Sequence, residues 1–189
     1  MQPKWEVCLI ILLVILGWIV VSNTLSHAQD WTYTPGTANV TAAAVESAYQ
    51  EALKDALKSH PDWKAPPRSP KWKVITPQEV CDTTHDTAPC AVALTCGEYG
   101  QCAGWPDEDI LFSEDFDYQS RLGYSVLYHE SWHYLQFYNQ GPIADMHRLL
   151  CAENEAYTEQ LVMLKRHGGD PISERKLINQ IMRYPCQPY

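Results

Sequence analysis

The residues most able to do chemistry are His129-Glu130-Ser131-Trp132-His133. They form an HExxH sequence inside a run that reads as helix. Histidines four positions apart share one helical face, so both imidazoles can reach a single metal ion. The glutamate beside the first histidine is then close enough to take a proton from metal-bound water. A catalytic zinc takes three protein ligands and keeps one position open. A third ligand is therefore expected downstream.

The segment Cys151-Ala152-Glu153-Asn154-Glu155-Ala156-Tyr157 offers two carboxylates. Met146, Leu150, Glu153, Tyr157, Leu161 and Leu164 recur at helical spacing as an apolar stripe in which Glu153 is the only charge. Arg148, Glu155, Glu159 and Arg166 make the opposite, charged face. A carboxylate in an apolar stripe needs a partner or a metal, because burying a bare charge is costly. Glu153 is thus the expected third ligand, beside His129 and His133, of one zinc ion. Glu155 reads as a solvated surface group able to pair with Arg148. Glu130 is the expected general base. Tyr157 and His147 are candidates for a transition-state donor, with packing or surface roles as their alternatives. The lone histidines His60, His85 and His167 read as solvated.

His129, Glu130 and His133, with Glu153 twenty positions after the second histidine, resemble the gluzincin branch of the zinc metallopeptidases. Thermolysin-like enzymes share that spacing. The Glu-x-Glu-Ala-Tyr run also looks like small bacterial secreted zincin-like domains. The resemblance covers about residues 105 to 165 and rests on the two motifs. It implies a zincin-like fold and hydrolysis of a peptide or other amide. It also implies that Ala156 is the small residue letting the glutamate helix approach the HExxH helix. Gluzincins often place an acidic residue four after the ligand glutamate to hold the first histidine; this chain has Tyr157 there.

These residues must be positioned by an α+β domain with a small sheet and a helical pair. A helix is expected over 41–59, ended by His60-Pro61. An extended proline-rich linker follows over 61–70, then a strand over 72–75. Residues 81–90 read as loop, Cys90–Thr95 as a short strand and 97–106 as loop. Asp109–Ser113 is the next strand. The resemblance makes it an edge strand with which a substrate could pair; the plainer reading is a buried strand between two charged loops. The HExxH helix is expected over about 117–139, the glutamate helix to about His167, and a last helix from Asp170-Pro171 to about Tyr184.

The chain opens with Lys4, an apolar run from Val7 to Val21, and Ser26-His27-Ala28. That is the layout of a signal peptide over 1–28, which leaves a single domain over 29–189; an uncleaved N-terminal anchor is the competing reading. Cleavage would remove Cys8 from the seven cysteines. The even number remaining suggests disulfides in an exported, periplasmic or secreted protein. Pairings among Cys81, Cys90, Cys96 and Cys102 would leave Cys151 joined to Cys186. The formal charge of -9 argues against nucleic acid and anionic membranes as partners. The functional expectation is an exported zinc-dependent hydrolase acting on a peptide or amide substrate. The rival classes are a zincin-like zinc-binding protein without turnover, and histidines that merely pack.

Overall fold

The computed structural model describes residues 40–84, 91, 93–96, 108–141 and 145–186. These lie in one unit, Pro35–Tyr189. Residues 1–28, the loop expected over 97–106, Cys90, Cys102 and His85 lie outside the described residues.

Helix α1 spans Ala42–Ser59, with the Thr41 side chain capping its start through the Ala44 amide. Strand β1 (Trp72–Ile75) leads into helix α2 (Pro77–Thr84). Strands β2 (Ala93–Thr95) and β3 (Ile110–Ser113) follow. Helices α3 (Arg121–Gln140), α4 (Met146–Arg166) and α5 (Pro171–Arg183) complete the chain. The expected α+β class is observed. Among the described residues no helix is long and apolar enough to cross a membrane.

The three strands are ordered β1-β3-β2. β1 runs parallel to β3, with Trp72 opposite Ile110, and β2 runs antiparallel to it, with Thr95 opposite Ile110. β3 is therefore central, which corrects the expectation of an edge strand. Its residues alternate between two cores. Ile110 and Phe112 pack with Val45 and Ala48 of α1, Leu127 of α3 and Phe116 from the segment between β3 and α3, whereas Leu111 packs with Ile75, Val80 and Cys96. The acidic neighbours sit at its ends: Asp109 pairs with Arg68, and Glu114 is exposed. The plainer reading, a buried strand between charged flanks, is the one observed.

Other boundaries moved for local reasons. Residues 81–84 finish α2 instead of starting a loop, because Glu79 caps the helix by accepting from the Thr76 amide and hydroxyl. α3 begins four residues later than expected. Ser120 caps the Gly123 amide, while Asp117 is used in a turn that accepts from Gln119. A Cβ at Gly123 would overlap the Asp117 carbonyl, so that turn can lie against the first turn of α3 only because position 123 is glycine. The linker over 61–70 is irregular but anchored: Trp63 stacks on His60, and the Arg68 carbonyl accepts from the Tyr134 hydroxyl.

α3 is enclosed on nearly every side. Tyr128, Trp132 and Leu135 pack with Tyr49, Ala52 and Ala56 of α1 and with Ala156 and Met163 of α4. The stripe expected on α4 is rotated from the observed one. Ala152, Ala156, Gln160, Met163 and Leu164 are buried, while Met146 is 67% exposed and Glu153 lies at the margin. Small Ala152 and Ala156 let α4 lie close against α3, and Gln160 is accepted there because its amide donates to Ser125 Oγ at 2.8 Å. The Cys151–Cys186 disulfide joins α4 to the segment after α5, as expected. Cys81 and Cys96 are disulfide-bonded as well.

Candidate metal centre

α3 presents His129 and His133 one turn apart, with ring centroids 4.6 Å from each other. Their Nε2 atoms lie 3.0 Å apart. α4 runs back along α3 and brings Glu153 to the same point. Its Oε1 is 3.3 Å from His133 Nε2, and its Oε2 is 3.7 Å from His129 Nε2. Both histidines are 5% exposed, and Glu153 keeps a 22% exposed side chain. Among the described residues this is the group of side chains that could hold a metal ion.

The donor spacing fits such an ion. Tetrahedral zinc with bonds of about 2.0–2.1 Å needs ligand atoms about 3.3 Å apart. The two Nε2 atoms are 3.0 Å apart, and each faces a different Glu153 oxygen, at 3.3 and 3.7 Å; taking one ligand atom from each residue, the three lie within 4.8 Å of one another. Electrostatics points the same way. Burial works against charge on His133, but the Glu153 carboxylate beside it raises its pKa to about 9. Burial likewise opposes charge on Glu153, but the facing histidines hold its carboxyl well below the usual carboxylate range. The pocket therefore favours a positive charge at the point where the three side chains meet.

Glu130 is 6% exposed and follows His129 on α3. Thr95, at the end of β2, donates its hydroxyl to Glu130 Oε2 at 2.6 Å. The same hydroxyl lies 2.9 Å from the Glu130 carbonyl. The Glu130 carboxylate is near enough to act electrostatically on both His133 and Tyr157. The ring of Tyr157 lies 4.3 Å from that of His129 and stacks on Tyr184 at 5.6 Å. Burial, and then the Glu153 charge, push the Tyr157 hydroxyl far above its ordinary value, so it keeps its proton.

His147 is not a member of this group. Its ring contacts the Cys151 sulfur at 3.8 Å near the start of α4. Glu155 is not the solvated group expected from the wheel. It is half-buried, meeting His60 Nε2 at 2.5 Å and accepting from Gln136 Nε2 at 2.8 Å. His60 is accordingly half-buried, and His167 pairs with Glu51 at 2.8 Å. The rotation of α4 explains the change, since Glu155 comes round toward α1 once Ala152 and Ala156 face α3.

His133 Nδ1 is 2.8 Å from Gln136 Oε1, whereas His129 Nδ1 is buried with no partner among the described residues. Sequence reasoning missed Thr95, Gln136 and His60. Gln136, three positions after His133, had a readable signal in its i, i+3 spacing. Thr95 had none, being 35 positions from its partner. The chain matches no protein-family model, no curated protein and no solved structure.

Proposed function

We propose that this protein is a zinc-dependent hydrolase of peptide or related amide bonds, with a zincin-like helical pair as its working part. The observation that carries the reading is the convergence of His129, His133 and Glu153, whose ligand atoms lie within 4.8 Å of one another, with the Glu130 carboxylate near enough to act electrostatically on His133. His129 Nε2, His133 Nε2 and a Glu153 oxygen would hold the ion. A divalent cation there supplies Lewis acidity, easing loss of a proton from water and polarising a carbonyl. Glu130 takes that proton on Oε1, since Oε2 is engaged by Thr95, and hands it to the leaving amine. Tyr157 keeps its hydroxyl proton and is the candidate donor to the oxygen that gains charge. His147, held beside the Cys151 sulfur, is the weaker candidate for that task. Export fits the disulfides, which persist in oxidising compartments.

One observation favours a second reading, metal binding without turnover: Glu130 is almost fully buried and already accepts a hydrogen bond from the Thr95 hydroxyl. A peptide-library cleavage assay on the zinc-loaded protein and on Glu130→Gln separates the two. The hydrolase reading predicts cleavage by the parent. The variant should keep full zinc content and lose activity by about 100-fold or more, the scale of general-base catalysis. Zinc without cleavage in the parent supports the binding protein. Full activity in Glu130→Gln removes Glu130 as the base.

A further inference from the structure

We infer that Gln136 and Glu155 form a positioning chain that fixes which nitrogen of His133 carries the proton, and thereby how tightly the site holds its ion. This deepens the metal-site reading and rests on it for the second half of the claim. Gln136 is 1% exposed. One end of its amide faces two acceptors, the Ala152 carbonyl at 3.2 Å and Glu155 Oε2 at 2.8 Å. That end must be the NH2 group, because a flipped amide would set oxygen against two oxygens. The other end, Oε1, then faces His133 Nδ1 at 2.8 Å and can only accept. Nδ1 therefore carries hydrogen. In the neutral ring this leaves the lone pair on Nε2, the atom that faces His129 and Glu153.

The chain continues outward. The second oxygen of Glu155 meets Nε2 of His60, which closes the C-terminus of α1 and stacks on Trp63 at 4.1 Å. Four side chains, two on α3, one on α4 and one at the C-cap of α1, thus run from His133 to the end of α1. Among the described residues His129 has no comparable support at Nδ1, and its ring packs against that of Tyr157. Glu155 is then no spare surface carboxylate. Its task is to hold the Gln136 amide in the one orientation that accepts from His133.

The test has two readouts. Ring nitrogen chemical shifts of His133, taken on metal-free protein at alkaline pH, report the tautomer. Competition with a chromophoric chelator reports zinc affinity. Gln136→Met and Glu155→Leu should move His133 toward Nε2–H and weaken zinc by about 10- to 100-fold, as loss of such partners generally does. Glu155→Gln, whose amide oxygen can still accept from Gln136, should keep both readouts near the parent values. Should the buried Gln136 variant not fold, the half-exposed Glu155 pair carries the test. An unchanged tautomer and affinity in Glu155→Leu overturns the proposal, as do equal losses in Glu155→Gln and Glu155→Leu. If the parent binds no zinc while the tautomer still shifts in Glu155→Leu, the metal reading fails and the positioning chain stands.

Discussion

His133 and Glu153 make a pH-dependent pair whose sign can be worked out. In metal-free protein the His133 pKa is raised from 6.5 to about 9, so its contribution to stability is complete below 6.5 and lost as pH rises through about 9. Glu153 is lowered from 4.5, so its contribution is present above 4.5 and is lost only as pH falls into the acid range. The window for the pair thus runs from about 4.5 to about 9. Melting temperature of chelator-treated protein should fall between neutral pH and pH above 9. Zinc-loaded protein should not show that fall, because the ion facing Glu153 does not titrate. Identical pH profiles with and without zinc would contradict the assignment. At this scale much was legible in the sequence. The spacing of His129, Glu130 and His133 is local to one helix, and a lone carboxylate beside apolar residues singled out Glu153. The Thr95–Glu130 and His60–Glu155 contacts were not legible, because each joins residues far apart in the chain and neither type is unusual where it stands.

The site depends on how closely α4 lies against α3. Ala156 is fully buried between Trp132, Met163 and the α1 residues Tyr49 and Ala52. Ala156→Leu adds three carbons where there is no room. Overpacking of this kind costs about 1–3 kcal/mol. It should also push Glu153 away from the histidines, so zinc affinity should drop together with the midpoint of urea unfolding. Unchanged zinc affinity in a destabilised variant would mean that Glu153 is not held by this contact. The existence and type of the long elements could be read from periodicity, and α1, α3, α4 and α5 stand close to their expected ranges. The rotation of α4 could not. Its packed face uses two alanines and a hydrogen-bonded glutamine, which an apolar count undervalues, while exposed Met146 was overvalued. The edge or central position of β3 is a matter of pairing order, on which a four-residue apolar run is silent.

Over the whole molecule, the Cys151–Cys186 bond ties the glutamate helix to the tail that carries Tyr184, which stacks on Tyr157 beside His129. It closes a loop with a sequence separation of 35. Chain entropy puts the worth of such a loop at about 3–4 kcal/mol. Replacing both cysteines by serine should lower stability by about that amount in denaturant titration, and loss below ~1 kcal/mol would show that the tail is fixed by packing alone. The central claim, that His129, His133 and Glu153 together hold one ion, is tested most directly by zinc content per chain. The measurement is made on purified parent protein and on Glu153→Ala after zinc loading and desalting. The account predicts one zinc per chain in the parent and almost none in the variant, since two histidines seldom retain zinc against water. A parent without zinc, or a Glu153→Ala protein that keeps it, would contradict the account.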